Sequence, residues 1–188
     1  MRILFSPNSP YVRKCLVVAH ELGLNDRVQL LPSNAHPVQR DVEIIRDNPL
    51  GKVPTFYTDD GQVLFDSRVI CEYLNDLAKG ALVPAQGARR WETLTLQSLG
   101  DGMLDASLIA RYEDVTRPDE LKWPQWRAAQ LDKVETSLAW LSAHPECLKD
   151  RVDMGSITIG CALWYLDLRF PDLGWRERYP LVAKWYAD

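Results

Sequence analysis

Long apolar runs are missing from this sequence. No segment reaches the length that crosses a bilayer, and Met1-Arg2-Ile3-Leu4-Phe5-Ser6-Pro7 carries too short an apolar run for a signal peptide. The expected location is therefore the cytoplasm. Basic runs are equally short, as at Arg89-Arg90, and the net charge is −4, so neither nucleic acid nor an anionic membrane is an expected partner. Cysteine is scarce: Cys15, Cys71, Cys147 and Cys161 form no CxxC pair and no Cys/His metal spacing, and His20, His36 and His144 are scattered. Neither a disulfide framework nor a structural zinc is expected from that pattern, and no metal is expected. What remains is a chain of 188 residues with 46% apolar content, enough for one large domain or two small ones of ordinary globular composition.

The most informative stretch is Ser6-Pro7-Asn8-Ser9-Pro10-Tyr11-Val12-Arg13-Lys14, placed between Ile3-Leu4-Phe5 and Cys15-Leu16-Val17-Val18-Ala19. A short apolar run, a Pro/Asn/Ser cluster and a longer periodic segment read as strand, tight loop and helix. Ser9 suits the N-cap and Pro10 the first helical position, where proline has no N–H to leave unsatisfied. The Ser9 hydroxyl then sits at the positive end of a helix, where an anion is stabilised. Helix capping alone would also account for it.

The first eighty residues alternate in type. Residues 2–5 form a strand, and 10–22 a helix stopped by Gly23. Residues 28–31 form a second strand ended by Pro32, and 38–46 a short helix closed by Asn48-Pro49. Residues 53–57 and 63–65 flank the turn signal Asp59-Asp60-Gly61 and form a hairpin. Asp66-Ser67 opens a helix through Leu77. The order βαβαββα predicts a small α/β domain over residues 1–80, with a parallel strand pair extended by an antiparallel hairpin.

Residues 81–87 read as a linker, and residues 88–188 as an all-α domain. Leu96, Leu99, Met103, Ala106 and Ala110 share one helical face, and Leu131, Val134, Leu138 and Leu141 another. Ile157 to Phe170 is apolar nearly all round, which predicts a buried central helix, with Trp164, Tyr165 and Trp175 as core. Asp101, between Gly100 and Gly102, reads as a helix break, since glycine weakens a helix.

Lys52-Val53-Pro54-Thr55 places a proline at the start of a strand, where it needs an edge or a special backbone state. A cis Val53–Pro54 bond would turn the Val53 N–H and C=O outward to pair with a peptide-like ligand; a trans proline opening the strand is the alternative.

Ser9-Pro10-Tyr11 opening the first helix, Lys52-Val53-Pro54 before the third strand and Asp66-Ser67 before the next helix together resemble the glutathione S-transferase family, most closely its bacterial members. The resemblance covers essentially the whole chain and implies a thioredoxin-like first domain. Ser9-Pro10-Tyr11-Val12 also resembles the Cys-Pro-Tyr-Cys of glutaredoxins with both sulfurs replaced, so thiol exchange by a protein cysteine is not expected there. The resemblance implies that glutathione is the co-substrate and that Ser9 donates to its sulfur, a role within reach of Ser6, Asn8 and Tyr11 as well. It implies that Val53 pairs with the cysteinyl unit while the cis Pro54 presents that backbone. Ser67 and the helix start behind it would hold the γ-glutamyl carboxylate. Asp66 suits the α-amino group, and Lys52, or more weakly His36, the glycyl carboxylate.

The activity so implied is thiolate attack on a hydrophobic electrophile bound by the all-α domain of a homodimer. Glutathione-dependent peroxide or disulfide reduction, and a non-catalytic binding or regulatory role, are the alternatives. In some family members an acid on the helix that carries Asp101 reaches the ligand of the partner subunit. Two departures stand out. The helix near residue 157 opens on Asp153-Met154-Gly155-Ser156, with acid and hydroxyl reversed relative to the usual capping box, so Ser156 is expected to be a weak partner. The sequence also ends at Asp188, sooner than the resemblance implies, where the C-terminal segment often closes the electrophile pocket.

Overall fold

The structure, a computed structural model, describes residues 1–188, and the chain divides into two units, Met1–Ala85 and Gln86–Asp188. In the first, β1 (Arg2–Phe5) runs parallel to β2 (Gln29–Pro32), with Arg2 opposite Gln29 and Phe5 opposite Pro32. β3 (Phe56–Tyr57) pairs antiparallel with β1, and β4 (Val63–Leu64) antiparallel with β3, giving the order β2-β1-β3-β4. β2 begins one residue later than the sequence predicts and includes Pro32. It is an edge strand, so the missing N–H costs no ladder bond.

α1 (Pro10–Glu21) and α3 (Ser67–Leu77) pack against each other, Cys15 meeting Cys71, and Val12, Val18, Ile70 and Leu74 of these helices are buried with Ile3 and Phe56. α1 ends because Gly23 takes φ +67°, which lets its N–H reach His20 C=O (2.9 Å) and the Leu24 N–H reach Ala19 C=O (2.8 Å). α2 (Val42–Asp47) is shorter than expected. Asp41 caps it by accepting from the Glu43 N–H (2.9 Å), while His36 Nδ1 accepts from the N–H groups of Val38 and Gln39 and holds those residues in a turn.

The second unit is helical: α4 (Ala88–Val115), α5 (Pro124–Ala143), α6 (Met154–Arg169), α7 (Trp175–Arg178) and α8 (Pro180–Ala187). α6 is its buried centre, and Tyr165 and Trp175 are buried while Trp164 is half-buried. The expectation of a weak start to α6 is corrected. Asp153 Oδ1 accepts from the Ser156 N–H and Ser156 Oγ from the Asp153 N–H, both at 3.0 Å, so the reversed pair closes a complete capping box. The reversed order works because each side chain brings an oxygen that accepts the other residue's N–H.

The helix break at Asp101 is likewise corrected, since α4 runs unbroken through it. Gly100 is there for packing. A Cβ on it would lie 2.9 Å from the Thr158 carbonyl carbon and 3.0 Å from the Ile159 nitrogen, both main-chain atoms of α6. Gly102 faces outward with nothing within 4 Å of an added Cβ. Gly100→Ala is therefore expected to lower the melting temperature by several degrees, because overpacking of about 1–3 kcal/mol outweighs the helix-propensity gain. Gly102→Ala should raise stability by up to about 1 kcal/mol. Thermal unfolding of the two variants checks the pair, and equal effects would contradict the packing account. No helix is long and apolar enough to cross a membrane.

Candidate functional site

The strand registers bring three loops to one end of the first unit's sheet. β1 runs toward that end and passes into the Ser6–Ser9 loop. β3, antiparallel to it, starts there: Ile3 faces Phe56, and the Leu4 N–H donates to Thr55 C=O (2.8 Å). β4 ends there, because Phe56 faces Leu64, and leads into α3. Ser9, Val53 and Ser67, far apart in sequence, thus share one end of the sheet.

Ser9 is the N-cap of α1 and is half-buried. Its N–H donates to Ser6 C=O (3.1 Å), closing the loop, and its Oγ accepts from the Val12 N–H (3.2 Å). The hydroxyl hydrogen donates to no group of the chain. Capping and donating are therefore compatible: one lone pair serves the helix and the hydrogen stays available. Of the neighbours, Asn8 is exposed and Ser6 and Tyr11 are half-buried.

The Val53–Pro54 bond is cis, and neither the N–H nor the C=O of Val53 is hydrogen-bonded within the chain. This segment is fixed from behind by Asn48, 1% exposed, which the sequence offers only as a helix stop. Its Nδ2 donates to Thr55 Oγ1 (2.9 Å) and Lys52 C=O (3.2 Å), and its Oδ1 accepts from the Leu50 N–H (3.1 Å). A side-chain amide is the group that suits this place, since it must donate and accept at once. Lys52 is exposed, its ammonium in no ion pair.

At the start of α3, Asp66 accepts the Arg68 N–H (2.9 Å) and is exposed, while Ser67 is buried. The N–H groups of Ser67 and Val69 have no partner, as the first turn of a helix dictates. The Phe65–Asp66 peptide is also cis, a feature with no signal in the sequence. His36 is exposed and occupied by its turn. Cys15 is buried, its Sγ 3.9 Å from Ser67 C=O and from Cys71 Sγ. Asp101 is buried in α4.

A separate cleft in this unit, under α2, is lined by Arg2, Leu4, Ile44, Asp47 and Tyr57 and shares none of these residues. There burial, with the hydrogen bond from Tyr57 to Asp47 (2.7 Å), pushes the Tyr57 hydroxyl up to about 12, so it stays protonated at neutral pH. The three-loop end is chemically different. It offers a donor hydroxyl at a positive helix end, an unused peptide edge, and open N–H groups beside a carboxylate. Such a set can pair with an extended peptide backbone and receive an anionic group.

Residues 8–77 match the family model for the glutathione S-transferase N-terminal domain and residues 124–188 that for its C-terminal domain. The chain is 32% identical over 189 residues to the uncharacterized GST-like protein YibF of Escherichia coli K12, covering 98% of this chain and 91% of that protein. Among solved structures, a glutathione transferase family member from Pseudomonas fluorescens Pf-5 with bound glutathione superposes with a TM-score of 0.95 at 46% identity, covering 98% of this chain and 91% of that one. A structure from the same organism with bound S-(propanoic acid)-glutathione superposes with a TM-score of 0.90 at 45% identity over 99% and 92% of the two chains.

Proposed function

The chain belongs to the glutathione S-transferase family, and from that membership we propose that it binds glutathione at the three-loop end of its first unit and activates the thiol for attack on an electrophile. The observation that carries the reading is the Ser9 hydroxyl, which caps α1 through Oγ and keeps its hydrogen for a sulfur. A thiolate is the nucleophile, so a donor hydroxyl at a helix N-terminus favours the reactive form. In this reading the Val53 N–H and C=O pair with the cysteinyl unit, as a further strand would. Ser67 and the open N–H groups of α3 receive the γ-glutamyl carboxylate, Asp66 the α-amino group, and Lys52 the glycyl carboxylate. Asn48 is a positioning residue for Val53 and Pro54. The second substrate is an electrophile with an apolar body, received by residues of 88–188, and the protein works in detoxification as a cytoplasmic homodimer. The S-conjugate held by the Pseudomonas fluorescens relative is the kind of product that thiolate attack makes.

Steady-state assays with 1-chloro-2,4-dinitrobenzene, cumene hydroperoxide and a glutathione mixed disulfide, run in parallel, test the proposal. Conjugation above the uncatalysed rate is the expected result. Turnover of only the peroxide or the disulfide would replace transferase by reductase chemistry, and glutathione binding with no turnover of any of them would make the protein a carrier or regulator.

A further inference from the structure

The helical unit holds a cationic cluster that its own carboxylates leave alone. α4 and α6 run side by side in the same sense. An added Cβ on Gly155 would meet Thr93 C=O and Leu96, and one on Gly100 would meet Thr158 and Ile159, so later residues of α4 face later residues of α6. Continued along both helices, this course brings Arg111 and Tyr112 to Tyr165 and Arg169. Arg169 lies one turn beyond Tyr165 on the same helix face. Tyr165 is 2% exposed, its hydroxyl oxygen accepts a hydrogen bond from Arg169, and the charges that act on it are those of Arg169, Tyr112 and Arg111. Burial pushes the hydroxyls of Tyr165 and Tyr112 above the ordinary phenol range, so both remain donors at neutral pH.

Neither arginine forms an ion pair, and the buried Arg169 Nε donates to nothing. A buried donor left without a partner calls for one. Three carboxylates close by in sequence are committed elsewhere. Glu113 accepts from the Trp123 N–H (2.6 Å) and Arg117 (2.8 Å), Asp114 from Arg127 (2.6 Å), and Asp167 from Trp175 (2.8 Å) and Arg176 (2.7 Å). Two guanidinium groups and two phenols are therefore gathered where neither guanidinium has a carboxylate partner and Arg169 meets only the Tyr165 oxygen.

We propose that Arg111, Tyr112, Tyr165 and Arg169 bind the carboxylate of an organic acid, which makes the second substrate an acid-bearing electrophile. This deepens the transferase reading and rests on it for the word substrate. A guanidinium fork pairs with a carboxylate through two parallel N–H···O bonds, and a phenol adds a third donor. An incoming anion also relieves the repulsion between the two cations. The apolar body of the electrophile is unaffected by this requirement.

The test is calorimetric titration of the full chain, without glutathione, with 4-chloro-3-nitrobenzoate and with 4-chloro-3-nitrobenzamide, its neutral counterpart of similar shape. The benzoate is expected to bind at least ten-fold more tightly. Arg111→Gln and Arg169→Gln should each erase most of that preference while leaving the benzamide within about two-fold, and Arg169→Lys should restore part of it, as a single-point cation would. Equal affinity for the two probes, or a preference that survives both glutamine variants, would overturn the proposal. The wild-type comparison decides even if a variant does not fold. Failure of the glutathione reading would look different: benzoate preference intact, with no heat from glutathione.

Discussion

Ser9→Ala is expected to slow conjugation ten-fold or more at neutral pH and to raise the pKa of the bound thiol, with glutathione affinity nearly retained. An unperturbed thiol titrates near ~8.5, and each unit of depression is worth about 1.4 kcal/mol. Lowering it by about two units asks about 3 kcal/mol of the site. A hydrogen bond to a charged acceptor supplies about 1.5–3 kcal/mol of this and the helix end part of the rest. Because Ser9 Oγ also accepts the Val12 N–H, the alanine variant should lose about 1 kcal/mol of stability as well. The two effects separate in Ser9→Thr, which keeps both cap and hydroxyl and should recover most of the rate. The pH–rate profile of wild type and variants is the measurement, and its acid limb should move to higher pH in the alanine variant. An unshifted limb would move the role to Asn8, Tyr11 or the backbone.

The largest stability effect is expected at Asp153. Its carboxylate caps α6 through the Ser156 N–H (3.0 Å), accepts from Thr93 Oγ1 (3.2 Å) and from Arg151 Nε (2.6 Å), and the Arg151 side chain is 3% exposed. Asp153→Ala removes the cap and leaves a buried guanidinium without its counter-charge, which costs about 3–5 kcal/mol. At about 2–4 °C per kcal/mol for a chain of this size, the melting temperature should fall by about 10 °C. Asp153→Asn keeps a good N-cap and deletes only the charge, so its loss should lie between the alanine variant and wild type. Urea unfolding monitored by circular dichroism reads both. A loss below about 1 kcal/mol in the alanine variant would mean that the hydrogen bonds Arg151 already makes to Thr93 Oγ1 and Cys147 C=O are enough to hold it.

The two buried thiols of the first unit illustrate what the sequence makes legible. Apolar spacing places Cys15 in the core without any knowledge of its neighbour, because helical periodicity fixes which face turns inward. That Cys71 lies opposite depends on how α1 and α3 pack, which periodicity does not carry. The same division holds across the chain. Pro10, Gly23 and Asp66 mark helix boundaries by local backbone chemistry, and the structure puts the boundaries where those residues stand. The two glycines around Asp101 mislead, since glycine serves both as a helix breaker and as a surface for close helix approach, and only the tertiary partner Thr158 distinguishes these uses. In the candidate site, Ser9, Val53 and Ser67 are readable because each belongs to a short local motif. Asn48 is not, because its work is done on a loop four to seven residues away. Arg111 and Arg169 also escape notice, being ordinary polar positions until α4 and α6 are laid side by side.

One measurement tests the central claim most directly: calorimetric titration of the protein with glutathione, followed on the same sample by ultraviolet difference absorbance for the bound thiolate. The account predicts saturable binding and a thiolate band at neutral pH that weakens in Ser9→Ala. Binding as the neutral thiol would contradict the role given to Ser9, and the absence of any binding would contradict the assignment of the three-loop site to glutathione.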